Sequence, residues 1–380
     1  MQTLNINREL IRWALERSGR SVEGLARQFP KLVKWESGET QPTLRQLEAL
    51  AKKTWTPLGY FFLPEPPQEK LPIPDFRTVR DRPIGSTSPN LIDTLHTMQR
   101  RQAWMHDYLV DQGHDPLPFV ASANLQASPV VVANQIRQVL GTKDGWASRH
   151  GTWTDALQHL REAIEVAGIL VTINGVVGNN TRRKLDTEEF RGFVLVDNYA
   201  PLIFVNGADA KSAQMFTLVH ELAHLWVGAS ALFNLPNLEP SEFEVEQFCN
   251  RVAAEFLVPA AEFAHLWPQA ANDAEPFQAI ARHFKVSPIV AARRAQDLGL
   301  IQQVEFLAFF RAYQEDERRK AVRAGGGNFY NTQNARLGKR FTRAVAMAAK
   351  EGRLLYRDAY RLTDLHGATF DKYAKASGAD

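Results

Sequence analysis

The sequence predicts an α+β protein with a small all-helical domain at its amino end, a central domain that combines a short antiparallel or mixed sheet with long helices, and a helical carboxy-terminal extension. Three observations carry this. Apolar residues recur at helical spacing over most of the 380 residues. Between about residues 169 and 205 that period gives way to three short β-branched or aromatic runs. These runs stand together between helical stretches, the order of an α+β domain rather than of alternating βαβ units.

At the amino end, Leu10, Ile11 and Leu15 mark one helix within residues 7–17. Val22, Leu25 and Ala26 mark a second after the break at 19–21, and Leu44, Leu47, Leu50 and Ala51 a third after Pro42. The helical domain so defined covers 1–64. A linker at 65–87 follows, where Pro66, Pro67, Pro72, Pro74 and Pro83 resist regular structure. The central domain is expected at 88–300, with its core at 150–265. Helices are expected at 88–114, 130–140 and 152–166, then strands at 169–173, 192–196 and 201–205, the last two joined by a turn at Asp197-Asn198-Tyr199. Residues 174–187, with Gly175, Gly178 and two adjacent asparagines, read as a loop. Helices at 211–227 and 241–257 come next, the second stopped by Pro259, and a pair of short helices flanks Val286-Ser287-Pro288. Beyond Gly325-Gly326-Gly327 lies the last part of a basic helical extension at 301–380.

With 44% hydrophobic and 23% charged residues the chain has the composition of a soluble globular protein, which excludes disordered, collagen-like and disulfide-dense classes. The amino end lacks the apolar core of a signal peptide and no stretch is long enough to span a bilayer, so a cytoplasmic location is expected. The single cysteine, Cys249, cannot form an internal disulfide and is expected in the core. The net charge of +3 is unevenly spread: 1–64 carries +4 and 301–380 carries +6, leaving −7 for 65–300. Basic ends suit an anionic partner or simply solvated helix faces.

The most informative motif is Phe216-Thr217-Leu218-Val219-His220-Glu221-Leu222-Ala223-His224-Leu225-Trp226. Two histidines four apart leave the same helix face and can bind one Zn²⁺. Glu221, beside the first, can take a proton from water that the metal acidifies, which makes it the candidate general base. A third protein ligand is required. The acidic run Glu239, Glu242, Glu244, Glu246 begins fifteen residues after His224. Glu246 is the preferred member, because Asn250 follows one turn later and can hold a ligand histidine through its other nitrogen. Glu242 and Glu244 remain alternatives. Residues His150, His159, His265 and His283 show no partner spacing.

These residues resemble the ImmA/IrrE metallopeptidase family. The similar pieces are "LIFVN" at 202–206, "FTLVHELAH" at 216–224 and "EQFCNRVAAEFLVP" at 246–259, with Cys249 and Val252 where the family usually carries Ala and Phe. The resemblance implies a zincin-like domain of the gluzincin type, with His220, His224 and Glu246 as zinc ligands and Glu221 as catalytic base. It also implies a protein substrate, such as a repressor or antitoxin-like regulator. The amino-terminal domain is similar to the Cro/CI-type helix-turn-helix in Leu25-Ala26, Trp35-Glu36-Ser37-Gly38, Pro42-Thr43 and 47–51, although the interval holding Pro30 is short for a full recognition helix. DNA is therefore an expected partner of that domain, with protein contact or homodimerisation as its rival. Residues 280–301 imitate a helix-turn-helix as well, but their apolar spacing is explained by packing. Arg336, Lys339, Arg340 and Arg343 form a basic stripe in the extension.

The reading that follows is a zinc-dependent endopeptidase acting on a regulatory protein, with residues 192–196 or 201–205 as the strand that pairs with the substrate backbone. The competing reading is a DNA-binding regulator or antitoxin that keeps the peptidase fold as a scaffold.

Overall fold

The computed structural model describes residues 3–69, 87–143, 145–229, 231–233, 244–315 and 329–378. These fall into two compact units, one contained in Met1–Pro72 and Val79–His96, the other in Ile73–Thr78 and Thr97–Asp380. No helix among the described residues is long and apolar enough to cross a membrane.

The first unit opens with four helices, α1 (Arg8–Arg17), α2 (Val22–Leu25), α3 (Leu32–Ser37) and α4 (Leu44–Thr54). Each start follows from a polar side chain that satisfies a free amide. Asn7 accepts from Glu9 N, Ser21 from Gly24 N, and Thr43 forms a capping box with Gln46. Leu10, Ile11, Leu25, Leu32, Trp35, Leu47 and Leu50 close over one another as the core. Three helices were expected here and a fourth, the six-residue α3, is present after Pro30. Its periodic signal is hidden because so short a segment completes fewer than two turns.

Helix α5 (Pro89–Asp111) leads into the second unit, followed by α6 (Pro129–Leu140) and α7 (Trp153–Val166). Strands β1 (Leu170–Asn174), β2 (Val176–Val177), β3 (Asn180–Lys184), β4 (Gly192–Leu195) and β5 (Leu202–Asn206) precede α8 (Lys211–Val227). Then come β6 (Ala231–Phe233), α9 (Glu244–Leu257), α10 (Ala260–Ala270), α11 (Pro276–Phe284), α12 (Pro288–Asp297) and α13 (Gln303–Glu315). The described chain closes with α14 (Phe329–Leu337), α15 (Lys339–Lys350), α16 (Tyr356–Thr363) and α17 (Gly367–Ala376). The glycine run at 325–327 lies outside the described residues, as does most of the expected linker.

The main sheet is mixed, in the order β1-β5-β4-β6, with β1 parallel to β5 and the other pairs antiparallel. Strands β1, β4 and β5 are buried on both faces. Val171, Ile173, Val194, Ile203 and Val205 enter the core that also contains α8 and α9, whereas Phe193 and Phe204 stack on the opposite face with ring centroids 4.9 Å apart. Two expectations are corrected here. Residues 174–187 are not a plain loop, since β2 and β3 pair antiparallel within them. The exposed run Asn180-Thr181-Arg182-Arg183-Lys184 lacks the apolar alternation that marks a strand. Nor can 192–196 or 201–205 offer a free edge to a substrate, because β4 and β5 are each paired on both sides.

Residues 280–301 pack rather than protrude. Ile280, Ala281, Phe284, Val290, Ala291 and Ala295 belong to the same core as α8.

Candidate metal centre

Helix α8 is buried from Gln214 through Trp226. A helix apolar on nearly every side belongs inside a protein, and this one lies against β4, β5, α6, α7 and α9. Its start is held by Gln214, whose amide donates to Gly207 O (3.1 Å) and Asp209 O (2.6 Å). Its end is closed by Gly228 in the left-handed conformation. There Ala121 N and Ala123 N donate to Leu225 O and Trp226 O, the last carbonyls of the helix.

Helix α9 is anchored from its far end. Arg137 of α6 donates to Glu255 O (2.6 Å) and Phe256 O (3.0 Å), and Arg294 of α12 donates to Val258 O (2.9 Å) and pairs with Glu255. With both helices fixed, His220, His224 and Glu246 converge. The two imidazole Nε2 atoms stand 3.0 Å apart, and each meets one oxygen of Glu246, at 3.1 Å for His220 and 3.0 Å for His224. All three side chains are buried, the histidines at 0% exposure and Glu246 at 2%.

This donor set fits a metal ion. Two imidazoles and one carboxylate bring potential ligand atoms within 4.8 Å of one another. Burial alone would raise the Glu246 pKa, but the two histidines outweigh it and hold the carboxyl down to about 2. His220 is disfavoured as a cation by burial, which suits it to lend a lone pair; Glu246 only partly opposes that. Asn250, one turn beyond Glu246, does not hold a ligand histidine through its Oδ1, which has no hydrogen-bond partner among the described residues. Glu244 sits exposed in the first turn of α9, away from the cluster. Glu239 and Glu242 lie outside the described residues.

Glu221 is at 0% exposure and neither carboxylate oxygen has a hydrogen-bond partner among the described residues. Burial, reinforced by the charge of Glu246, pushes its pKa well above the ordinary carboxylate range. Its position depends on a residue that the sequence reading passed over. Gly192 of β4 faces it: a Cβ there would stand 3.0 Å from Glu221 Oε1, 2.5 Å from Thr217 Cγ2 and 2.9 Å from Phe204 O. The isolated glycine at the head of an otherwise apolar strand was the signal available, since such a glycine marks close approach by another group.

Cys249 is buried and unbonded, and its thiol pKa is raised first by burial and then by Glu246 and Glu221. It is not one of the residues that converge. Three histidines without obvious sequence partners do have them in space: His283 pairs with Glu262 at 2.7 Å, and His150 and His159 lie against each other with ring centroids 4.8 Å apart.

Comparison with known families agrees with this geometry. Residues 164–296 match the peptidase M78 model, described as the IrrE N-terminal-like domain. Residues 337–376 match a model described as a domain of unknown function (DUF8813). No curated protein matches the chain. The chain thus carries a peptidase-family domain, and that domain contains a side-chain cluster fit for a metal ion.

Proposed function

We propose that the protein is a zinc-dependent endopeptidase of the cytoplasm that cuts a regulatory protein, a repressor or an antitoxin-like partner. The observation that carries this reading is the convergence of His220, His224 and Glu246 beside an unpartnered buried carboxylate, Glu221, on the same helix as the histidines. A purely structural helix gains nothing from a buried acid whose oxygens meet no donor, since leaving such a group unsatisfied costs about 1–3 kcal/mol or more. The cost is accounted for if the acid handles a proton.

His220, His224 and Glu246 would hold the ion, which supplies Lewis-acid polarisation of the scissile carbonyl and acidifies water near neutral pH. Glu221 takes the proton from the attacking water on one carboxylate oxygen and delivers it to the amine that leaves. Gly192 leaves room for the Glu221 carboxylate against β4. For the amino-terminal unit we propose a positioning or sensing role, through DNA or through protein contact, supported by the +4 charge of residues 1–64.

The test is metal content and cleavage measured together. Purified wild type should hold near one zinc per chain. Glu221→Gln should keep the zinc and lose cleavage of co-expressed candidate regulators. A folded wild type without zinc refutes the proposal and leaves a DNA-binding regulator on a peptidase scaffold, recognisable by operator binding that weakens steeply with salt.

A further inference from the structure

The basic residues of the carboxy-terminal extension separate in the fold. Arg336 donates to Asn179 Oδ1 at 2.7 Å and Lys339 pairs with Glu162 at 3.0 Å, so both serve to dock the extension. A different set of cations faces solvent further on, in α16 and α17. They belong to a segment, 337–376, that carries nine Lys or Arg against four Asp or Glu.

These two helices are joined by the three-residue turn Asp364-Leu365-His366, a length that a helix-turn-helix uses. Asp364 takes the left-handed conformation there (φ 55°), and its carboxylate is turned back to Arg101 at 3.3 Å. Asn179 donates to Asp364 O (2.9 Å) and Arg101 to Leu362 O (2.8 Å), which fixes the turn to the body of the unit. Burial follows the same motif. Ala359 and Thr363 on the inner side of α16, Leu365 in the turn, and Phe370 and Tyr373 on the inner side of α17 are each at most 4% exposed. Tyr360 of α16 sets its ring on Phe370 of α17, with centroids 5.5 Å apart.

The outer side of α17 presents Gly367, Ala368, Asp371, Lys372 and Lys375. It carries no large apolar side chain and so lacks the anchor of a protein interface. Small residues in its first turn let the helix backbone come close to a surface, and Lys372 and Lys375 have no ion-pair partner among the described residues. On α16, Arg357 and Arg361 are 71% and 72% exposed and share one carboxylate, Asp358, at 3.5 and 3.6 Å. We propose that this helix pair binds duplex DNA, with α17 in the major groove and Arg357, Arg361, Lys372 and Lys375 on the flanking phosphates. The major groove of B-form DNA admits one helix, whereas that of duplex RNA is too narrow. The contact gives residues 337–376 a role, and it rests neither on the peptidase reading nor on the role proposed for the amino-terminal unit.

The experiment is fluorescence anisotropy of the full chain on a labelled DNA duplex of mixed sequence over a range of salt. Each phosphate contact adds about 0.9 to the steepness of log K against log salt, so Lys372→Gln/Lys375→Gln should lower it by about 1.8 and weaken binding at least tenfold near ~0.1 M salt. The same drop should appear when Lys31→Gln/Lys34→Gln, in the amino-terminal unit, is the background, which separates the two ends of the chain. Ala368→Glu should weaken binding at least as much, by repulsion from the phosphates, while Ala368→Gln, of like size, should keep the wild-type salt dependence. Thermal unfolding confirms that these surface variants fold. Failure of wild type to bind the duplex overturns the proposal. So does binding indifferent to the α17 variants, or tighter binding to polyglutamate than to DNA, which would assign the surface to an acidic protein.

Discussion

Replacing Gly192 with alanine inserts one methyl group where β4 meets α8, and the structure says what that group strikes. It would lie 2.5 Å from the Thr217 methyl carbon, 2.9 Å from the Phe204 carbonyl and 3.0 Å from Glu221 Oε1. Thr217 is 2% exposed and Phe204 is held in the sheet between β1 and β4, so neither neighbour has solvent to retreat into. Overpacking of this kind costs about 1–3 kcal/mol. Thr217→Ser removes the closest obstacle and by itself costs about 1 kcal/mol, the loss of one buried methyl. If the contact is the cause, Gly192→Ala/Thr217→Ser should be more stable than the sum of the single changes predicts, by about 1 kcal/mol. It should not return to the wild-type value, because the carbonyl and the carboxylate still obstruct the new methyl. Urea unfolding of the four proteins measures this coupling directly. The metal cluster is not touched by the methyl, so metal per chain should stay constant while hydrolysis falls with the displaced Glu221. Strict additivity of the two stability changes would refute the packing argument, and unchanged hydrolysis in Gly192→Ala would refute the link to Glu221.

The other expectations are simpler. Glu246→Ala should lose bound metal, while Glu244→Ala, at an exposed position in the same helical turn, should keep it; elemental analysis of the two purified variants decides between them. At Asp197 burial alone would raise the carboxyl pKa, but the amides of Ala200 and Tyr199 and the His106 ring, at 2.9 Å, outweigh it and hold the pKa below its usual value. A depressed carboxyl stabilises the fold above its unfolded pKa of 3.8, and that contribution fades as pH falls through the lower folded value. Asp197→Asn should therefore be less stable than wild type by about 1–2 kcal/mol at neutral pH, with the gap closing below about pH 4; a gap that stays constant in urea unfolding across that range would contradict the assignment.

What the sequence displayed and what it hid have different physical origins. Both histidines and Glu221 were legible because a helix converts spacing into direction, so residues four apart must share a face. Glu246 was legible as an acid on the next helix, although the bond from Asn250 Oδ1 that favoured it is not made. Contacts between elements were not. Gly192 carries no chemistry of its own, and its importance appears only when β4 is laid beside α8. The three residues of β6 are too few to show a period, yet β6 covers the edge of β4 and so removes that strand from substrate pairing. The β2–β3 hairpin was missed because its order comes from side chains such as Asn174, which donates to Gly178 O at 2.7 Å, and not from an apolar face. The basic stripe of the extension looked continuous along the chain but was divided by partners more than 150 positions away, Asn179 and Glu162.

Those distant partners bear on when the protein can finish folding. Arg161 at the heart of α7 donates to Asn334 O (2.7 Å), Glu165 receives Lys339 N, Arg101 reaches Leu362 O (2.8 Å), and α14 lies against β1. The outer strand of the sheet and the buried polar groups of α5 and α7 are thus completed by residues more than 150 positions further along the chain. During synthesis the ribosome releases α8 long before it releases these partners, so the nascent domain waits with Arg101 unmatched, Arg161 and Glu165 holding only each other, and one side of β1 bare. Chain closure over such separations is slow, and an uncovered strand invites association with other chains. A gene cut after residue 296 would therefore encode the matched peptidase segment in full and still yield a product that depends on chaperones.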